Sequence, residues 1–403
     1  MAYHPMLVSM QEKDEGNMKK LADGMYREMN EGAFAALAEA KRLEAEGKRI
    51  LHFEIGEPGF DTPSHIVEEA CKALADGFTR YVPAAGIPEL RQAIADDVEV
   101  SRGYRPSIDQ ILVLPGANLG IFFAMAATLN PSDEVIYPDP GFPTYDSTAS
   151  YLGVKKVPVP LFEDNAFRMA PEDVGSRITD NTKLIILNSP QNPTGSAIKK
   201  NELEEIAEMA RERDIFLLSD EVYSKMLYHG EHHSPTVLDG ARDRSILLDG
   251  FSKNYSMTGW RLGYMVGPEE LIKRLTKLFI TTISCTTAFV QKAGVAAIKG
   301  DQTFLHGMMD TFLERRDTMV KGLNSIPGFK CLTPDGAFYA FANIRETGMT
   351  SAEMTHHLLY KAGVAVLPGT VFGPGGEGYV RFAFATSLEN IREAIDNIKT
   401  SLE

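Results

Sequence analysis

Asp249-Gly250-Phe251-Ser252-Lys253-Asn254-Tyr255-Ser256-Met257-Thr258-Gly259-Trp260-Arg261-Leu262-Gly263 follows the short apolar run Ile246-Leu247-Leu248. That run reads as a buried strand. One lysine, Lys253, sits just past it. Arg261 comes eight residues later, between two glycines and beside the only tryptophan of the chain. A lysine in such a place is either a solvated surface amine or a nucleophile that condenses with a carbonyl. The second role calls for another cation to hold an anionic part of the bound molecule. Ser252 and Arg261 supply a hydroxyl and a guanidinium.

On either side of this string the chain alternates. Apolar runs over 111–114, 134–137, 184–188, 215–219 and 245–248 read as strands, and so does 154–158 with its two lysines. Helical spacing covers 121–129, 144–151, 202–213 and 269–276. Continuous apolar runs mark a parallel sheet covered on both faces. Nearer the N-terminus, 26–47 reads as helix and 49–55 as strand. Thr62 is expected to cap a helix that has Pro63 at its first position, and Pro88 to start another that runs to about residue 100. Past the block, 286–324 reads as nearly continuous helix. Strands then read at 336–344, 364–367 and 379–385, with helices at 351–362 and 388–402. The expected fold class is α/β. A large domain over 57–290 holds the mostly parallel, doubly covered sheet. A smaller α+β domain combines 18–56 with 291–403, and 1–17 forms an arm.

In open α/β sheets ligands bind outside the carboxyl ends of the strands, so the residues after each strand matter most. After 111–114 come Gly116, Ala117 and Asn118 at a helix start, where exposed N–H groups and the helix dipole suit a phosphate. After 134–137, Phe142 stands in a proline frame, as a core residue or as a ring stacked on a flat cofactor. After 184–188 comes the turn Ser189-Pro190-Gln191-Asn192-Pro193-Thr194-Gly195. After 215–219 come Asp220 and Tyr223. A carboxylate at the end of a buried strand is costly unless paired. Asp220 reads as a helix cap or as the partner of a protonated pyridine nitrogen, with Tyr223 donating to a phenolate oxygen. Five strands thus bring a phosphate loop, a ring, an amide, a carboxylate with a tyrosine, and an amine to one edge. Farther on, Arg381 alternates with Val380 and Phe382 and shares a face with Ala383 and Ala385, which leaves room for a bidentate ligand.

Composition narrows the function classes. The 403 residues suggest two domains, and 44% hydrophobic with 24% charged content is ordinary for a globular protein. A net charge of −14 argues against nucleic acid as a main partner. Cys71, Cys285 and Cys331 are scattered and odd in number, so neither a disulfide framework nor a metal site is readable. No apolar stretch reaches a membrane span, and no signal core precedes the acidic Glu12, Asp14 and Glu15. A cytoplasmic protein is expected. Gly373-Pro374-Gly375-Gly376-Glu377-Gly378 matches G-x-G-x-x-G letter for letter, yet it precedes a strand instead of following one into a helix. It is therefore not read as a dinucleotide site.

Taken together, Ser-Lys-x₅-Gly-Trp-Arg-x-Gly, Asn192-Pro193-Thr194-Gly195, Asp220-x-x-Tyr223, Gly56-Glu57-Pro58, Tyr81-x-Pro83-x-x-Gly86 and Tyr379-x-Arg381 resemble the class I/II aminotransferases of fold type I. The likeness runs from about residue 20 to 400 and is nearest the prokaryotic aspartate/prephenate-type subgroup. It implies pyridoxal 5'-phosphate as cofactor and a ping-pong transfer of an amino group between an L-amino acid and a 2-oxo acid. By the same resemblance Lys253 forms the Schiff base and shuttles the proton, and Asp220 keeps the pyridine nitrogen protonated. Asn192 and Tyr223 touch the ring oxygen, and Phe142 stacks on the ring. Gly116, Ala117, Asn118, Ser252 and Arg261 hold the phosphate. Tyr81 reaches the phosphate of a neighbouring subunit, which makes a homodimer part of the mechanism. Arg381, with Gly56 and Asn192, takes the substrate carboxylate. Dicarboxylate-specific members carry a lysine where this chain has the neutral Asn118. A lyase, synthase or decarboxylase of the same fold would use the same residues. A DNA-binding regulator would need a basic appended domain that this composition does not offer.

Overall fold

The computed structural model describes residues 21–27 and 33–403. The arm expected over 1–17 lies outside them, as do 28–32 of the first expected helix. That helix is Ala33–Ala45, followed by a two-residue strand β1, Leu51–His52.

Seven strands then build the main sheet: β2 (Ile111–Leu114), β3 (Glu134–Asp139), β4 (Lys155–Pro160), β5 (Thr182–Asn188), β6 (Phe216–Asp220), β7 (Ser245–Gly250) and β8 (Gly263–Val266). Their spatial order is β2-β8-β7-β6-β5-β3-β4. All neighbouring pairs from β7 to β4 are parallel, while β8 runs antiparallel to both β7 and β2. Two successive reversals leave β2 pointing the same way as β7. The carboxyl ends of β2, β3, β5, β6 and β7 therefore open onto one edge.

Side chains alternate between two cores, as continuous apolar strands predict. Leu184, Ile186, Leu218, Ile246 and Leu248 pack on one face with Phe123 and Phe279. Ile185, Leu187 and Leu217 pack on the other with Leu203 and Ile206. The lysine-bearing β4 is the edge strand, and Lys155 and Lys156 are exposed there, a common way to blunt an edge.

The sequence carries no strand signal for β8. It is four residues long and begins with glycine, which weakens any strand signal. It forms because it is sandwiched: a Cβ at Gly263 would run into the backbone of Gly116 and Ala117.

The remaining strands are β9 (Lys330–Cys331), β10 (Tyr339–Asn343), β11 (Val364–Ala365), β12 (Leu367–Pro368) and β13 (Tyr379–Ala383). They form a four-stranded antiparallel sheet, β12-β13-β10-β9, and a parallel pair, β1-β11. The expected strand at 364–367 is thus split at Val366 between two sheets. The expected continuous helix over 286–324 is broken into Ala288–Lys299 and Thr303–Leu323. The break falls at Gly300-Asp301, where Asp301 accepts from the Thr303 backbone and hydroxyl. The first piece packs on the helices Ser64–Ala75 and Pro88–Arg102, and the second on the C-terminal helix Leu388–Leu402. Phe312, Phe338, Phe382 and Phe384 centre this second core. Among the described residues, no helix is long and apolar enough to cross a membrane.

Candidate active site

Strand β7 ends in Gly250, and one helical turn, Phe251–Asn254, carries Ser252 and Lys253 out of the sheet edge. Lys253 is partly buried. Its Nζ donates to the Gly56 carbonyl and lies 5.9 Å from the Phe338 ring centroid. Burial lowers its amine to about 8, Arg381 and Arg261 add to the effect, and Glu57 and Asp220 oppose it. Glycine is required at Gly56, because a Cβ there would collide with the Tyr339 hydroxyl. Thr62 does not cap its helix as expected. Pro63 occupies the cap position, and Thr62 Oγ1 donates to the Ser256 carbonyl at 2.6 Å and accepts from Trp260 Nε1 at 3.1 Å. Thr258 donates to Glu57 in the same contact region. The 56–63 loop is in this way clasped to the lysine segment.

Asp220 ends β6 and is buried. Its Oδ2 accepts from the Tyr145 hydroxyl at 2.7 Å, and its Oδ1 from the Val222 amide at 3.4 Å. Burial pushes its carboxyl up to about 6, with Tyr145 holding it down. Phe142 stands edge-on to Tyr145, 5.8 Å between centroids at 80°. Tyr223, also buried, shares a 2.6 Å hydrogen bond with the Tyr339 hydroxyl. Neither tyrosine stands out in the sequence: Tyr339 falls within an expected strand and Tyr145 within an expected helix, although Tyr145 shares a proline frame with Phe142.

Arg381, in β13, lies 3% exposed between two aromatic rings, Tyr339 at 4.5 Å and Phe372 at 4.9 Å. Both rings are within cation–π range of the guanidinium. One Nη donates to Asn192 Oδ1 at 3.2 Å, the other to the Glu54 carbonyl. Its Nε has no hydrogen-bond partner, and no carboxylate among the described residues lies within ion-pair distance. Burial lowers it from its ordinary value. A guanidinium with no carboxylate partner in an aromatic slot suits a carboxylate.

At the end of β2, Gly116 (φ 93°) precedes the helix Ala117–Thr128 and places no side-chain cap on its first N–H groups. A Cβ at Gly116 would strike the Arg261 guanidinium, so the loop and the arginine meet only because the residue is glycine. Arg261 is itself held by its bond to the Thr258 carbonyl, 2.9 Å. Ala117 is partly buried and Asn118 exposed. Open helix N–H groups beside a guanidinium suit a phosphate, the buried Asp220 suits a pyridinium, and the partly buried amine suits an aldehyde. These features fit pyridoxal phosphate. Tyr81 stands apart from this cluster: it is 88% exposed and lines an open cleft with Phe78, Cys285 and Phe289.

Residues 48–398 match the family described as aminotransferase class I and II. The aspartate aminotransferase of Pyrococcus horikoshii is 41% identical over 356 residues, covering 88% of this chain and 91% of that protein. The aromatic-amino-acid aminotransferase 2 of Thermococcus litoralis is 38% identical, covering 88% and 92%. The solved structure of aspartate aminotransferase from Thermus thermophilus with maleate superposes with a TM-score of 0.91 at 35% identity, over 95% of this chain and 100% of that one.

Proposed function

The chain belongs to the class I and II aminotransferases and is a pyridoxal-phosphate-dependent aminotransferase, and from that premise we propose how its own residues divide the work. When bound, pyridoxal phosphate supplies an aldehyde that captures an amine and a ring that withdraws electrons from the substrate Cα. Lys253 would hold the group through its amine, and with that amine free it would move the proton at the substrate Cα. Its lowered affinity for protons suits both tasks. Asp220, itself held by Tyr145, would keep the proton on the ring nitrogen. Asn192 and Tyr223 would hold the ring oxygen, and Phe142 would pack against the ring. The N–H groups from Ala117 and Asn118, with Ser252 and Arg261, bind the phosphate. Arg381, Asn192 and Gly56 take the substrate carboxylate.

The exposed Tyr81 supports a homodimer in which it completes the neighbouring site. The three cysteines are all free, which supports a cytoplasmic setting. The helix Ala288–Lys299 packs on the large-domain helices Ser64–Ala75 and Pro88–Arg102, which supports placing the junction between the large domain and the small one at the break at 300–302 and not at 290.

The observation that carries this reading is the convergence of charge on the Lys253 amine, which feels both Arg381, whose Nε has no hydrogen-bond partner, and Asp220, held by Tyr145. The test is a panel of single amino acids mixed with the pyridoxal form. A donor bleaches the visible band and a 2-oxo acid restores it. Bleaching with release of ammonia and no restoration would indicate lyase chemistry instead. The panel contrasts dicarboxylic with uncharged donors, since Asn118 supplies no cation for a second carboxylate.

A further inference from the structure

The segment 51–54 threads between two strands. The Leu51 and Phe53 amides donate to Gly363 and Ala365, and the Phe53 carbonyl accepts from Ala383. His52 and Glu54 therefore share a side, with Phe53 packed away from them against Phe382 at 6.1 Å. The Glu54 carbonyl is the one that accepts from Arg381. Its side chain is fully buried: Oε1 lies 2.7 Å from His52 Nδ1, while Oε2 has no hydrogen-bond partner. His52 Nε2 lies 3.0 Å from Glu44 Oε1. So one short crossing holds an orphaned carboxylate oxygen and, on Arg381, an orphaned guanidinium N–H.

We propose that His52 is a positioning residue for the carboxylate-binding arginine: it ties the Glu54 carboxylate back toward Glu44, so that Arg381 keeps its charge for the substrate. The inference rests on the reading of Arg381 as the substrate's handle. Glu54 is the carboxylate whose charge Arg381 feels, and a free Glu54 side chain would be a built-in competitor for the same guanidinium. Among the described residues, the cation within ion-pair distance of the Glu54 carboxylate is His52. The groups that face His52 among the described residues are Glu44, from the helix Ala33–Ala45, and Glu54; its pairing strand β11 brings Val364 and Ala365. Glu54, first, and Glu44 push the imidazole up to about 8, against burial. His52 is thus charged below that pH, and carboxylate binding weakens as pH rises through it.

The experiment is calorimetric titration of the cofactor-loaded enzyme with propionate, an unreactive monocarboxylate, at pH 7 and pH 9. His52→Gln is expected to raise Kd at pH 7 roughly fivefold, the scale of one charge acting through a partly buried site. Glu54→Gln is expected to bind at least as tightly as the wild type and to flatten the pH dependence. His52→Gln with Glu54→Gln is expected to match Glu54→Gln alone, a rescue that a merely structural role for His52 would not produce. An unchanged Kd in His52→Gln, or no rescue by Glu54→Gln, overturns the proposal. Arg381→Lys separates the two levels: if it binds propionate like the wild type, the Arg381 reading falls and this proposal with it. If it loses binding while His52→Gln does not, only the proposal falls. Should His52→Gln not fold, an unflattened pH dependence in Glu54→Gln alone overturns it.

Discussion

The Tyr145 hydroxyl donates to Asp220 Oδ2 at 2.7 Å, and both groups are buried. Burial alone would push the carboxyl up, and in the role proposed for it Asp220 must be charged. The tyrosine favours the charged form, as a hydrogen bond to a carboxylate does. Such a bond is worth about 1.5–3 kcal/mol. Tyr145→Phe is therefore expected to lower kcat/KM by roughly ten- to a hundredfold, and Asp220→Asn by about 10²–10⁴-fold. Steady-state kinetics check this. Wild-type values in Tyr145→Phe would remove its role.

The Lys253 amine is lowered to about 8 by burial, below its ordinary ~10.4. The neutral, reactive form then grows in with a midpoint near 8. The rate at which cofactor-free protein captures pyridoxal phosphate should rise between pH 7 and 9 and level off, not keep rising to pH 10. The sign for stability follows from the same shift. Between about 8 and ~10.4 the unfolded chain binds more protons, so the cofactor-free protein gains stability as pH climbs through that window. Lys253→Ala should show no visible band from the internal Schiff base and no stability step. Retention of the band would refute the assignment of this lysine.

Arg102, at the end of the helix Pro88–Arg102, bonds Glu221 at 3.0 Å and Asp249 at 2.5 Å, all three buried. Glu221 follows Asp220, and Asp249 lies four residues before Lys253. The arginine therefore fastens together the ends of β6 and β7. Removing one partner of a buried ionic cluster strands the others, at a cost of about 3–5 kcal/mol. Urea unfolding of Arg102→Met should show a loss of that size, partly recovered by adding Glu221→Gln. Equal midpoints for Arg102→Met and wild type would mean that the cluster contributes little.

If Tyr81 completes a neighbouring site, then Lys253→Ala and Tyr81→Ala subunits, each deficient alone, should complement when mixed. In the hybrid, one site keeps its own Lys253 and receives Tyr81 of the partner subunit. Activity should recover toward half of the wild type per hybrid dimer, read after co-refolding. Activity no greater than the average of the two variants would place Tyr81 outside the shared site.

The strands of the main sheet were legible because their signal is local. Runs such as Leu184 to Leu187 and Ile246 to Leu248 are buried on both faces and so carry no polar alternation. The lysine string was legible for the same reason: Ser252, Lys253 and Arg261 lie within one turn and loop. Strand β8 was not, because four residues beginning with glycine acquire strand geometry only from neighbours on both sides. The helix break at 300–302 was hidden by good helix formers on both flanks.

By itself the sequence determined the alternating architecture, the amine at the end of β7, and the residue types waiting at the other strand ends. Only the tertiary structure decided what surrounds each of them. Tyr145 is 75 positions from Asp220, Tyr339 is 116 from Tyr223, and Glu54 is 327 from Arg381. No periodicity links residues so far apart. Their pairing follows from which strands lie side by side and which rings close over them, and burial then sets the proton affinity of the lysine and the aspartate. The lysine at the end of β7 could be read from the chain, whereas the burial that lowers its proton affinity arises only once the chain has folded.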